Sequence, residues 1–156
     1  MPTSENDLHY MRIALEQAKL SEPISSAYCV GAVIVKNDTI LATGYSRELP
    51  GNTHAEECAI QKLKDNDNDN NNNNKDIIGS TMYTTMEPCS KRLSGKKCCV
   101  DRIKEIGIPR VVIGCGEPDN FVKCYGIENL KEFGIEVVLV KELEEECLKC
   151  NKHLGI

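Results

Sequence analysis

From Ser80 onward the chain alternates short β-branched runs with helical stretches, and this alternation restricts the fold more than any other feature. "STMYTTM" (Ser80 to Met86), "RVVIGC" (Arg110 to Cys115) and "IEVVLV" (Ile135 to Val140) read as strands. Val100 to Ile106 and Tyr125 to Phe133, lying between them, read as helices. Strand–helix–strand crossovers are right-handed and make neighbouring strands parallel, with helices covering the sheet. Upstream, "CVGAVIVK" (Cys29 to Lys36) and "TILATGY" (Thr39 to Tyr45) flank an Asn37-Asp38 turn, the pattern of an antiparallel hairpin. Leu8, Met11, Leu15 and Ala18 fall on one face of a first helix, and Ser4 with Asp7 offers a capping box at its start. His54 to Lys64 reads as a second helix. From Lys141 a last helix carries Leu143, Cys147, Cys150 and Leu154 on one stripe. The expected architecture is α/β: a mixed five-stranded sheet with helices on both faces, in a single domain spanning 1–156. "DNDNDNNNNNKD" (Asp65 to Asp76) has nothing to bury and is expected to be a disordered surface insert.

The 156 residues are 40% hydrophobic, enough for one buried core, and with no Trp and two Phe that core must rest on Val, Ile and Leu. A net charge of −5 argues against nucleic acid or an anionic membrane as partner, since both reward positive charge. No apolar run approaches the ~20 residues that span a bilayer. The N-terminus lacks the cationic and apolar segments of a signal peptide, so a cytoplasmic protein is expected. Nine cysteines, an odd number, then read as free thiols and metal ligands, not as a disulfide framework.

The chemistry concentrates in two stretches. "NTHAEECAIQKL" (Asn52 to Leu63) places His54 two residues before Glu56 at the head of a helix, and "EPCSKRLSGKKCC" (Glu87 to Cys99) follows the third strand. Catalytic zinc takes three protein ligands and leaves a fourth position for water. His54, Cys89 and one of Cys98 or Cys99 would supply that set, and two thiolates with an imidazole leave the metal formally neutral yet able to acidify water. Glu56 is then placed to carry protons from the water to the substrate. Zinc nucleobase deaminases divide the labour in this way, with an H-x-E…P-C-x-x-C signature.

On these residues the chain resembles the cytidine deaminase superfamily, over roughly Met11 to Val140. The resemblance implies that superfamily's three-layer sandwich, a bound zinc, and deamination of an aminopyrimidine. Eight residues separate Cys89 from Cys98, where most of the superfamily has two. That longer loop is similar to the deaminases of riboflavin biosynthesis, in which the second thiolate is the first of a Cys-Cys pair, and implies Cys98 as the third ligand. "GYSRELPGNTHAEECA", "YTTMEPCSKRLSGKKCCVDRI" and "GCGEPDNFV" resemble the fungal branch, which acts on a ribitylaminopyrimidine 5′-phosphate after the ribose is reduced. The Asn-Pro that the bacterial branch carries ahead of its first strand is missing from "SSAYCVG" (Ser25 to Gly31). The chain ends soon after the fifth strand, so the reduction is expected to belong to another polypeptide.

A phosphorylated pyrimidine needs cations near the metal. Lys91 and Arg92, close to Cys89, and Arg47, ahead of the His54 helix, are the expected substrate contacts, while Lys96 and Lys97 are divided between this role and a solvated loop. Cys147-x-x-Cys150 with His153 is read as core packing, because both cysteines continue the apolar stripe. An exposed sheet face or helix would support a homodimer.

Overall fold

The computed structural model describes residues 4–70, 77–92, 95–118 and 124–155. Helix α1 (Glu5–Ala18) starts at Ser4, whose hydroxyl accepts the Asp7 N–H at 3.1 Å. The Asp7 carboxylate turns inward and accepts from Arg110 Nη1 and Nη2, at 3.0 and 2.9 Å, and from the Tyr83 hydroxyl at 2.8 Å.

Strands β1 (Gly31–Lys36) and β2 (Thr39–Tyr45) form the expected hairpin. Asn37 and Asp38 take φ of 51° and 60°, the paired left-handed conformation of a type I′ turn, which short Asn and Asp side chains tolerate. Helix α2 (Ala55–Asn70), strand β3 (Thr81–Met86), helix α3 (Cys99–Ile106), strand β4 (Arg110–Cys115), helix α4 (Gly126–Glu132) and strand β5 (Glu136–Leu139) follow. The sheet order is β2-β1-β3-β4-β5. β1 is antiparallel to β2 and β3, whereas β3–β4 and β4–β5 are parallel, as crossovers through α3 and α4 require.

Side chains of the central strands alternate between the two faces of the sheet until the C-terminal ends of β3 and β4, where Met86 and Cys115 join the same face as Tyr83 and Val112. Ala32, Ile34, Met82, Val111 and Ile113 face α2, α3 and α4, packing on Ala59, Leu63, Val100, Ile103 and Leu130. Val33, Val35, Tyr83, Val112 and Val138 face α1 and the C-terminal segment, packing on Met11, Leu15, Leu143 and Cys147. The result is three layers, with the central strands buried on both sides.

Two segments depart from expectation. α2 runs to Asn70, so the first half of the polar insert continues the helix, with Gln61 donating to Asp65 at 2.9 Å one turn on. The remainder of that insert, 71–76, lies outside the described residues. The last helix is broken into α5 (Glu144–Lys149) between two 3-10 turns, Lys141–Leu143 and Lys152–Leu154. The break occurs where Asn151 turns inward and is fully buried: its Oδ1 accepts the Cys29 N–H at 2.6 Å, and its Nδ2 donates to the Cys29 carbonyl at 3.1 Å. Leu143 and Cys147 are buried as the stripe predicts, but Cys150 and Leu154 are only half-buried. Among the described residues no helix is long and apolar enough to cross a membrane.

Candidate active site

The C-terminal ends of β3 and β4, the N-terminal end of β1 and the start of α2 meet at one edge of the sheet, where α/β folds with parallel strands place their sites. Gly44 lets α2 lie directly on β2, because a Cβ there would overlap the Ala55 carbonyl oxygen. His54 stands at the head of α2, its carbonyl accepting the Cys58 N–H at 2.9 Å and its own N–H bound by Glu57 Oε1 at 3.1 Å. Glu56 sits one position into the helix and is buried. Cys89 leaves β3 after Glu87-Pro88 and caps α3: its Sγ accepts the Cys99 N–H at 3.2 Å and its carbonyl accepts the Val100 N–H at 3.2 Å.

These placements bring His54 Nδ1 within 3.5 Å of Cys89 Sγ and 3.4 Å of Cys99 Sγ, and all three ligand atoms lie within 4.8 Å of one another. Two sulfurs and an imidazole nitrogen converging at this separation suit zinc, whose sulfur and nitrogen bonds are about 2.0–2.3 Å long. The group differs from the expected one in its third member. Cys98 is the cap residue of α3, with extended backbone, whereas Cys99 is the first helical residue and points inward, fully buried. Helix geometry therefore presents the second cysteine of the pair to His54, and Cys98 is not in the converging group.

The electrostatics of the site are those of proton transfer. A hydrogen bond from the Cys99 thiol, and then the imidazole of His54, hold the Cys89 thiol well below its ordinary value despite burial. Cys99 is pushed up, through the bond it makes to Cys89 and through burial. Burial lowers and Cys89 raises His54, with Cys89 prevailing. Burial pushes Glu56 up to about 7, where a carboxyl group takes and releases a proton near neutral pH.

The three expected substrate cations all line the pocket, but two are already engaged. Arg47 donates to the Tyr28 carbonyl (3.2 Å), the Ser21 hydroxyl (2.8 Å) and the Glu22 carbonyl (2.8 Å), and itself sits at φ 64°. The Arg92 side chain is 2% exposed; it pairs with Glu57 at 2.9 Å and donates to the Asn52 carbonyl at 2.6 Å. Lys91 is exposed. Lys97 pairs with Glu105 at 2.6 Å.

Sequence reasoning missed Glu117, which lines the same pocket together with Tyr28, Ser46 and Asn52. Burial pushes its carboxyl up to about 7, and Oε2 is buried with no hydrogen-bond partner among the described residues. Its N–H is held by Glu87 Oε1 at 3.1 Å, and Glu87 Oε2 accepts the Ile127 N–H at 2.9 Å, tying the β4 loop to α4. The available signal was positional: an acid just past the end of a parallel strand, in "GCGEPD".

Residues 4–115 match the family described as the cytidine and deoxycytidylate deaminase zinc-binding region. A diaminohydroxyphosphoribosylamino-pyrimidine deaminase of Schizosaccharomyces pombe is 51% identical over 144 residues, 92% of this chain and 34% of the relative. A protein of the same name from Buchnera aphidicola of Acyrthosiphon pisum is 36% identical over 148 residues, 94% of this chain and 92% of that one. The chain thus spans about one third of the length of the S. pombe relative and nearly all of the Buchnera one. The crystal structure of Aspergillus oryzae Rib2 deaminase in complex with DARIPP superposes with a TM-score of 0.81 at 32% identity, covering 95% of this chain and 91% of that one.

Proposed function

Because the chain belongs to the cytidine and deoxycytidylate deaminase family, we propose that it removes an exocyclic amine from 2,5-diamino-6-ribitylamino-4(3H)-pyrimidinone 5′-phosphate by hydrolysis. The products are 5-amino-6-ribitylaminouracil 5′-phosphate and ammonia. The observation that carries the reaction class is the buried carboxyl of Glu56, two positions after His54 at the start of α2, beside the converging group of His54, Cys89 and Cys99. The DARIPP complex of the A. oryzae deaminase supports the ribitylamino substrate, whereas the names of the S. pombe and Buchnera relatives support a diaminopyrimidine phosphate more broadly, since they specify the phosphoribosylamino form.

Zinc, when bound, supplies Lewis-acid polarisation that lowers the pKa of a water molecule toward neutrality. His54 and Cys89 would hold it with one thiolate of the Cys98–Cys99 pair; the converging geometry supports Cys99, and the resemblance supports Cys98. Glu56 accepts a proton from the attacking water and delivers it to the ring nitrogen beside the amine-bearing carbon; it then takes the second proton from the added hydroxyl and passes it to the departing nitrogen as the carbonyl forms. A C–O bond forms, the C–N bond breaks and ammonia leaves. Glu117 Oε2 offers an acceptor to an N–H of the aminopyrimidine without breaking any hydrogen bond made by the described residues. Lys91 is the cation best placed for the phosphate, while Arg47 and Arg92 stiffen the pocket wall through the carbonyls they bind.

The test is ammonia release from the ribitylamino phosphate, its ribosyl precursor, deoxycytidylate and cytidine, compared at equal concentration. The ribitylamino phosphate should be the best substrate. Turnover of deoxycytidylate without turnover of the ribitylamino phosphate would make the protein a nucleotide deaminase instead.

A further inference from the structure

One carboxylate ties together every segment that carries a candidate metal ligand. Glu57 Oε1 accepts the His54 N–H at 3.1 Å and Arg92 Nη1 at 2.9 Å, and Oε2 lies 3.2 Å from Arg102 Nη2. Arg92 is three residues beyond Cys89, and Arg102 is three residues beyond Cys99 on α3. Both arginines also converge on the Lys97 carbonyl just ahead of the Cys98–Cys99 pair, Arg92 Nη1 at 3.4 Å and Arg102 Nε at 3.3 Å. Arg92 Nη2 reaches back to the Asn52 carbonyl at 2.6 Å, on the approach to His54. The β2–α2 and β3–α3 loops and the starts of α2 and α3 are therefore cross-braced by three side chains, of which Arg92 is nearly sealed from water.

Resting on the metal-site reading above, we propose that Glu57, Arg92 and Arg102 form a positioning clamp that holds the ligand-bearing segments at coordinating separation and so sets how long zinc is retained. Ligand atoms contributed by three separate segments must otherwise be ordered at the moment of metal binding, and partners that orient ligands from outside the coordination shell are worth about 10–100-fold in metal affinity. The planar guanidinium of Arg92 reaches Glu57, Asn52 and Lys97 in fixed directions, which a lysine ammonium cannot reproduce. None of the three side chains needs to touch the metal or the substrate for this role.

The experiment compares zinc-loaded wild type with Glu57→Gln and Arg92→Lys, measuring zinc transfer to an excess chromogenic chelator and, separately, the melting temperature of each metal-free protein. Asp7→Asn is the control, because Asp7 belongs to a buried ion network on the opposite face of the sheet. Glu57→Gln and Arg92→Lys should release zinc roughly 10–100-fold faster than wild type. Asp7→Asn should lower the melting temperature at least as much without speeding release. Wild-type release rates in both clamp variants, or acceleration that merely follows the loss of melting temperature in all three, would overturn the clamp. A wild-type protein that binds no zinc at all would instead overturn the metal-site reading.

Discussion

Cys98 and Cys99 carry the same chemistry one residue apart, and only the backbone separates their fates. The cap position is extended and the next residue helical, so their side chains leave in different directions. If the converging group is the metal site, Cys99→Ala should bring zinc content well below one per chain while Cys98→Ala keeps it, as read by elemental analysis. The reverse result would return the third ligand to Cys98, as the resemblance implies. Glu56→Gln keeps size and hydrogen-bonding capacity but cannot carry the proton. It should retain zinc and lose at least about 100-fold in turnover, the lower end of general acid–base catalysis; full activity would move the proton shuttle elsewhere. His54 and Glu56 were legible because their relation is local, two positions apart at one helix start. Glu117 was not, because it joins the pocket only when β4 lies beside β3. The engagement of Arg47 and Arg92, expected as substrate contacts, was not legible because their partners include the backbone carbonyls of Tyr28, Glu22 and Asn52, which no residue pattern marks.

Among the elements, the strands were legible because strands buried on both sheet faces read as short, continuous β-branched runs. Val33 and Ile34 go to opposite faces, as do Val112 and Ile113. The last helix was misjudged because its stripe is truncated by a contact more than a hundred residues away in sequence. Asn151 gives both of its amide groups to the backbone of Cys29, at the entrance to β1, and so fastens the C-terminal segment to the edge of the sheet that carries the pocket. Asn151→Ala would leave a buried N–H and a buried C=O unsatisfied, each costing about 1–3 kcal/mol. Urea unfolding should show a loss of about 2–4 kcal/mol. A loss below about 0.5 kcal/mol, the range of an ordinary surface substitution, would mean that the segment is held by Leu143 and Cys147 alone. α2 shows the complementary limit: a run of Asn and Asp was read as loop from composition, yet a helix already begun needs no burial to continue for another turn or two.

For the molecule as a whole, the buried acids divide into two groups that act on stability in opposite senses. Burial would raise Asp7, but the bonds from Arg110 and Tyr83 and the charge of Arg110 outweigh it, and its pKa is lowered. The unfolded chain then takes up the Asp7 proton more readily than the native one, so this network stabilises fully above the ordinary carboxylate range, about pH 4, and its contribution is lost as pH falls through the lower native value. Glu117 is the reverse case. Its native pKa, about 7, lies above the unfolded one, so between about pH 4 and 7 the native state holds the extra proton and stability declines as pH rises across that window. Melting temperature of the metal-free protein should therefore fall on both sides of a mildly acidic optimum. Asp7→Asn should flatten the acid limb and cost roughly 2–3 kcal/mol at neutral pH, less than a fully buried pair because Arg110 stays partly solvated. Glu117→Gln should flatten the limb toward pH 8 and make the variant more stable than wild type there, while raising the Michaelis constant for the ribitylamino phosphate. Among the described residues Glu117 Oε2 has no hydrogen-bond partner, and a buried acceptor left open in a pocket at a cost in stability fits a bond that a ligand would complete. If Glu117→Gln neither stabilises the protein at pH 8 nor weakens substrate binding, that oxygen has no part in recognition.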